Sequence, residues 1–381
     1  MRRRVAILGA GGSIGSQALD VLARRADRFE VVALAGGRAS DAIDAARTAH
    51  PSASVLLGGS SPQLAELVSA SRPDIVVVAS TGLVALEATM VALAGGAAVA
   101  IANKETIVAG GDLVVRAAAR AAEHAGSSLL ERLRPVDSEH SALWQCLAGE
   151  EARSVARLWL TASGGPFRTW SADRIAAARP GDALAHPTWS MGAKITIDSA
   201  SLVNKGLEAI EAHRLFALPM ERVGIVVHPQ SAIHGLVEFA DGSTKAQIGA
   251  PDMRGPIAYA LGYPERMDSG VAPLDLAAAG SFSFEAPDPL RFPGLQLALE
   301  AGRRGGSAPG TLIAADDVAV ARFLGGEMRF GGIPALIDES LSRFGGDPAP
   351  GSVDEVLRLD AEVRTFARAW APPSGLAAEE R

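Results

Sequence analysis

Three acidic residues and two Asn-Lys pairs carry most of what this chain could do chemically. "VDSEH" places Asp137 and Glu139 two residues apart, and "NKGLE" ends on Glu208. Side chains at i and i+2 of an extended segment point the same way, so Asp137 and Glu139 are expected to converge. Converging carboxylates repel unless a cation lies between them. Oxygen ligands without thiolates suit a hard ion, Mg2+ or Mn2+, with positions left open for substrate oxygens. The same letters also read as a helix N-cap with exposed acids, and Glu208 as a surface residue. Spacing alone leaves both readings open.

The lysines add weight. Of 36 basic residues only Lys104, Lys194, Lys205 and Lys245 are lysine, and the only two asparagines, Asn103 and Asn204, each precede one. An arginine-rich composition should keep lysine where a compact ammonium with a tunable pKa is needed. Asn103-Lys104 follows the strand-like run Ala97–Ile101, at the end of the sheet where open α/β folds bind ligands. Asn204 and Glu208 share a helix face at i,i+4. An amide, an ammonium and a carboxylate at one helix start suit a polyhydroxylated, anionic substrate. Ser163 in "TASGGPFR", His186 in "AHPTWSMG" and Ser199 in "IDSAS" supply hydroxyls and an imidazole of the kind that clamp phosphate. Trp189, glycine-flanked on an irregular stretch, suits a lid. Taken singly, each is also an ordinary loop or core residue.

These residues need elements to hold them. Strand-like runs at 4–8, Glu30–Ala35, Asp74–Ala79, Ala97–Ile101 and Ser128–Leu130 alternate with helical stretches, the first at Ser16–Ala26, as in a parallel doubly wound sheet. "GAGGSIG" puts Gly9, Gly12 and Gly15 between the first strand and its helix, where backbone N–H groups can approach a pyrophosphate. The second strand ends in "ALAGGRAS", with Arg38 and no acidic residue, which favours NADPH over NADH. A structural strand–helix turn and a solvated loop arginine are the plainer alternatives. Beyond residue 150 the chain reads as strand Val155–Thr161, an irregular Gly/Pro/Trp-rich stretch, helix Leu202–Phe216 and strand Val223–Val227. A hairpin of Ile233–Phe239 and Thr244–Ile248 follows around Asp241-Gly242. Helices are expected at Leu295–Gly302, Thr311–Leu324, Ile333–Phe344 and Val353–Ala369. The fold class is therefore α/β in three parts. A Rossmann-like sheet spans 1–127, a central α+β domain with a lid 128–275, and a linker at 276–294 leads to a helical domain over 295–381.

Composition sets bounds. A net charge of −7 without a basic run argues against nucleic acid. A single cysteine, Cys146, excludes a disulfide framework and fits a reducing compartment. The apolar run after "MRRR" is too short for a signal peptide, and no window reaches membrane-span length, so a cytoplasmic location is expected.

With these segments in hand, the chain resembles the 1-deoxy-D-xylulose 5-phosphate reductoisomerase family. The stretches that carry the likeness are "VDSEH", "LTASGGPFR", "HPTWSMGAKITIDSASLVNKGLE", "HPQS" and "PDMRGPIAYALGYPER". The resemblance implies metal ligands Asp137, Glu139 and Glu208. It implies substrate contacts from Lys104, Ser138, Glu139, Ser163, His186, Ser199, Asn204, Lys205 and Glu208. For NADPH it implies Gly11, Gly12, Ser13, Ile14, Gly37, Arg38, Ala39, Asn103, Glu105 and Gly192. It also implies a homodimer and a two-stage reaction, retro-aldol cleavage and recombination followed by hydride reduction, with Lys104, Glu139 and Glu208 as candidates for proton transfer. The chain departs from the family pattern at Gly11, usually threonine, at Arg38-Ala39, more often Lys-Asn, and at "AADD" (314–317), usually richer in Asn and Glu. Two other functions are weighed beside this one. A different NADP-dependent dehydrogenase would not need a metal, and a non-catalytic NADPH sensor should have lost carboxylates or Asn-Lys pairs, all of which stand.

Overall fold

The computed structural model describes residues 1–185 and 192–377. His186 and Trp189, and with them the expected lid, lie outside the described residues. The chain packs as two compact units, one of Met1–Ser154 with Lys245–Asp275, the other of Val155–Thr244 with Leu276–Arg381.

The first unit is organised by six strands: β1 (Arg3–Leu8), β2 (Phe29–Gly36), β3 (Ser54–Leu57), β4 (Ile75–Val78), β5 (Ala98–Ile101) and β6 (Leu133–Pro135). All pair in parallel, in the order β3-β2-β1-β4-β5-β6. This is the doubly wound order of dinucleotide folds, with its switch point between β1 and β4. "IVVV" and "AVAI" are buried along their length, as parallel strands covered on both faces must be. The helix Arg254–Gly262 contributes Ile257, Ala258, Ala260 and Leu261 to the core around Val5, Ile7 and Val21. The strand expected at Ser128–Leu130 is instead a helical turn, Leu129–Arg132. Ser128 and Glu131 cap it reciprocally, the Ser128 N–H and hydroxyl both donating to Glu131 Oε1 at 3.1 Å, and the strand starts only at Leu133. Edge strand β3 went unread because it is short and half-exposed, with Val55 and Leu57 open to solvent.

A four-stranded sheet has the order β10-β9-β7-β8, with β7 (Val155–Ala162), β8 (Val223–Val227) and β9 (Ile233–Phe239) in the second unit and β10 (Thr244–Ile248) where the chain passes back to the first. β7 and β8 are parallel, β7 and β9 antiparallel. The hairpin turn falls where expected: Gly242 has φ +83°, and Asp241 accepts from Ser243 N–H at 2.9 Å. The helices between β7 and β8 in sequence include α5 (Ala193–Ser201) and α6 (Val203–Phe216), and α7 (Pro293–Arg304), α8 (Ala308–Leu324), α9 (Gly332–Phe344) and α10 (Val353–Ala369) form the C-terminal helical layer. The first unit's helices used below are α1 (Ser13–Arg24), α2 (Asp41–Ala49), α3 (Lys104–Ala125) and α4 (Ser138–Leu147). Helix α6 packs on β7 and β8 and, on another side, against α7. That contact depends on Gly206: a Cβ there would lie 2.2 Å from the Ala298 Cβ. Gly→Ala in a helix gains up to about 1 kcal/mol in propensity, but overpacking a fitted contact costs about 1–3 kcal/mol. Gly206→Ala is therefore expected to lower the thermal unfolding midpoint, and an unchanged or raised midpoint would contradict this packing. No helix among the described residues is long and apolar enough to cross a membrane.

Candidate active site

The β1–α1 turn needs its glycines. Gly9 has φ +98°, and a Cβ on it would lie 2.5 Å from the Ala79 carbonyl; one on Gly15 would lie 2.2 Å from Gly9 O. Helix α1 starts one turn earlier than Ser16, because Gly12 is its N-cap and already accepts from Ser16 N–H at 2.9 Å. The N–H groups of Ser13 and Ile14 fall in the first turn, where a helix offers no acceptor of its own, and are suited to a phosphate. Gly11 has a local reason. A Cβ there would meet Ser40 Oγ at 3.0 Å and Ile43 Cδ1 at 3.2 Å, since the start of α2 occupies the space a larger residue would use. Gly37, Arg38 and Ala39 form the exposed loop between β2 and α2, and nothing lies within 4 Å of a Cβ on Gly37.

After β5, Asn103 caps α3: its Oδ1 accepts from Thr106 N–H at 2.6 Å. Its Nδ2 donates to Ser80 O at 2.6 Å and Gly82 O at 2.9 Å, while Glu105 Oε1 accepts from Gly82 N–H at 2.9 Å. Asn103 and Glu105 thus brace the loop beyond β4, at the switch point. Lys104 Nζ forms an ion pair with Asp137. Asp137 is itself the N-cap of α4, accepting from Glu139 N–H at 3.2 Å, and its Oδ1 lies 3.0 Å from His140 Nδ1. This corrects the extended-segment reading of Asp137 and Glu139, which occupy a cap and a first helical turn. The N-cap alternative was right about the backbone but wrong about exposure, since the Asp137 side chain is only 16% exposed. Ser138 Oγ donates to Glu139 Oε2 at 2.6 Å. His140 was not singled out from the sequence. Its signal was its place three residues after a capping aspartate, and it is fully buried.

In the second unit, Ser163 follows β7 and its Oγ accepts from Gly165 N–H at 3.2 Å. A Cβ on Gly165 (φ +63°) would lie 2.7 Å from Ser199 O, so the "SGG" loop rests directly on the end of α5. Gly192 is the exposed N-cap of that helix. Between α5 and α6, Leu202 holds φ +58°. This conformation costs a branched residue about 1–3 kcal/mol, and it turns the chain sharply into "NKGLE". There Glu208, 1% exposed, accepts from Asn204 Nδ2 at 2.5 Å and Lys205 Nζ at 2.6 Å. Lys205 is also buried, so its charge and that of Glu208 answer each other away from water. Asn204 Oδ1 is buried with no hydrogen-bond partner among the described residues. Glu211, a further buried carboxylate one turn on, was not anticipated.

The two halves of the expected constellation are thus each assembled within a unit. Comparison with known proteins decides what they belong to. Family descriptions of the 1-deoxy-D-xylulose 5-phosphate reductoisomerase match residues 5–61 and 44–111, those of its C-terminal domain residues 133–216, and those of the DXP reductoisomerase C-terminal domain residues 248–366. The chain belongs to the 1-deoxy-D-xylulose 5-phosphate reductoisomerase family. The reductoisomerase of Chlorobium chlorochromatii is 45% identical over 97% of this chain and all of its own length, and that of Gluconobacter oxydans 46% identical over 97% and 93%. Among solved structures, the Zymomonas mobilis reductoisomerase in complex with NADPH is 38% identical, with a TM-score of 0.85 over 97% of this chain and 99% of its own. A reductoisomerase in complex with NADPH, fosmidomycin and magnesium is 36% identical, with a TM-score of 0.86 over 96% and 98%. The α/β fold and the resemblance read from the sequence both stand.

Proposed function

We propose that the chain converts 1-deoxy-D-xylulose 5-phosphate to 2-C-methyl-D-erythritol 4-phosphate with NADPH and Mg2+ or Mn2+, as a cytoplasmic homodimer. In this reading residues 1–127 bind NADPH, 128–275 carry the chemistry and the dimer contact, and 295–381 form a helical cap after the 276–294 linker. The observation that carries it is the Asn204–Lys205–Glu208 group, with Lys205 and Glu208 buried. Lys205 and Glu208 pair there, and the Asn204 amide oxygen has no hydrogen-bond partner among the described residues, which suits a hydroxylated, anionic ligand.

The donor set fits a hard divalent ion, since Asp137, Glu139 and Glu208 offer only carboxylate oxygen. Held by these three carboxylates, such an ion would supply Lewis-acid polarisation of the substrate ketone. The remaining roles fall to the chain's own groups. Lys205 and Asn204 grip substrate hydroxyls, and Ser163, Ser199, His186 and Ser138 hold its phosphate and chain. Lys104, Glu139 and Glu208 move protons while the carbon skeleton is cleaved and rejoined. His140 and Lys104 hold Asp137 in one orientation. Trp189, outside the described residues, is assigned a substrate contact. Gly11 to Ile14, Gly37 to Ala39, Asn103, Glu105 and Gly192 receive NADPH.

Cofactor preference tests the nucleotide end. With Arg38 in an open loop and no acidic residue among Gly37, Arg38 and Ala39, kcat/KM for NADPH should exceed that for NADH by at least about tenfold, or about 1.4 kcal/mol. Arg38→Asp should lose most with NADPH and narrow the gap. A wild type that prefers NADH would refute this reading of the loop.

A further inference from the structure

The second unit buries a cluster of charge that the reaction above does not use. Lys194 on α5 places Nζ 2.6 Å from Asp198 Oδ2, 2.6 Å from Asp316 Oδ2 on α8, and 3.2 Å from Asp317 Oδ1. The Asp198 side chain is 4% exposed and that of Asp316 is 0% exposed. Their other oxygens, both Oδ1, are buried and accept no hydrogen bond among the described residues, and the two carboxyl groups meet on one ammonium, each with its Oδ2 2.6 Å from Lys194 Nζ. Asp317 has its own counterion, Arg364 on α10 at 2.6 Å, which also holds Asp360 at 2.7 Å. That leaves one ammonium facing two buried carboxylates, an excess negative charge away from water, which is strongly unfavourable. One proton held by the two carboxyls removes the excess. Burial, and then Asp316, pushes the Asp198 carboxyl well above the usual range; burial also raises Asp316, with Lys194 opposing.

We propose that Asp198 and Asp316 share one proton at neutral pH, and that this Lys194-capped pair is a positioning device. It clasps α5 to α8 and so holds Ser199, the residue after Asp198, at the substrate site. The part concerning Ser199 rests on the functional reading above; the shared proton does not. Among the described residues, the charged groups joined to the pair by ion pairs, directly or through one another, are Lys194, Asp317, Arg364 and Asp360. On the other elements packed on α5, Asp182 accepts from Arg179 N–H, Lys205 pairs with Glu208, and Glu300 pairs with Arg304.

Infrared difference spectroscopy of wild type against Asp316→Asn at pH 7 tests the proton. The wild type should show one protonated-carboxyl C=O band that the variant lacks; no such band means both groups are ionised and overturns the proposal. Unfolding gives a second reading. The unfolded carboxyl loses its proton near pH 4 while the folded pair keeps it, so the stabilisation is complete below that pH and is lost as pH rises. The unfolding constant of wild type relative to Asp316→Asn should therefore grow by up to about tenfold per pH unit between about pH 5 and pH 7. Parallel curves would again overturn it. For positioning, Asp316→Ala should raise KM for the sugar phosphate by about tenfold or more with a smaller change in kcat. Asp316→Asn, whose amide replaces the shared proton, should restore KM. Asp316→Ser gives the same reading should the alanine chain fail to fold, and an unchanged KM refutes the positioning role. If the wild type turns over no sugar phosphate at all, the functional reading fails with the kinetic arm while the infrared result stands.

Discussion

Lys205→Arg is expected to lower kcat/KM by at least about a hundredfold, equivalent to about 2.7 kcal/mol of transition-state binding. Elsewhere this chain uses arginine for nearly all its positive charge, so composition alone would call the change silent. The structure gives the opposite answer. Lys205 is 6% exposed and its ammonium is 2.6 Å from Glu208, itself buried. A planar guanidinium is larger and cannot place its donors where one ammonium sat. The burial also means the change costs stability, by about 1–3 kcal/mol for an overfilled pocket, so unfolding must be measured beside kinetics. Lys245→Arg is the control. Lys245 is half-exposed and pairs with Glu150; a surface pair of this kind contributes about 0–1 kcal/mol, and the variant should behave as wild type. If both variants keep full activity, the retained lysine at 205 has no functional meaning.

Glu208→Gln should have the larger effect, lowering kcat/KM by at least about a thousandfold, or about 4 kcal/mol. The shape is kept, but the amide must turn its NH2 toward Asn204 Nδ2 or Lys205 Nζ, setting donor against donor. Lys205 then stays buried without a counter-charge, and removing one partner of a buried pair costs about 3–5 kcal/mol. The same substitution removes a full negative charge from the proposed ligand set, so half-maximal activation should need much more Mn2+. A Mn2+ titration of residual activity separates the two losses: a shifted midpoint reports the ion, and a lowered plateau reports the protonation and substrate roles. A variant within tenfold of wild type at the same Mn2+ midpoint would remove Glu208 from the site.

Much of this arrangement was legible because local chemistry and tertiary structure agree. The glycine turn is such a case, since Gly9 and Gly15 are demanded by backbone contacts that only a strand–turn–helix crossing makes. The hairpin around Asp241-Gly242 and the helix over Val353–Ala369 are others, each specified by its own turn or cap. Errors came where two local signals compete. Ser128–Leu130 looks apolar enough for a strand, but a serine with a glutamate three residues on caps a helical turn. Asp137 and Glu139 were placed on extended chain, and the capping power of Asp137 starts a helix instead. Burial was the least readable quantity. Neither the complete burial of His140 nor the meeting of Asp198 and Asp316, more than a hundred residues apart, on Lys194 follows from spacing, because both are set by how distant helices pack.

The central claim is a metal-dependent, NADPH-driven conversion of one sugar phosphate. Its most direct test is NADPH oxidation by the purified chain on adding 1-deoxy-D-xylulose 5-phosphate, after EDTA treatment and again after restoring Mn2+ or Mg2+, with the product identified by NMR. The account predicts no oxidation without the sugar phosphate, loss of activity in EDTA, recovery with the ion, and one 2-C-methyl-D-erythritol 4-phosphate formed per NADPH consumed. Turnover that survives EDTA, or a product with an unbranched carbon skeleton, would contradict it.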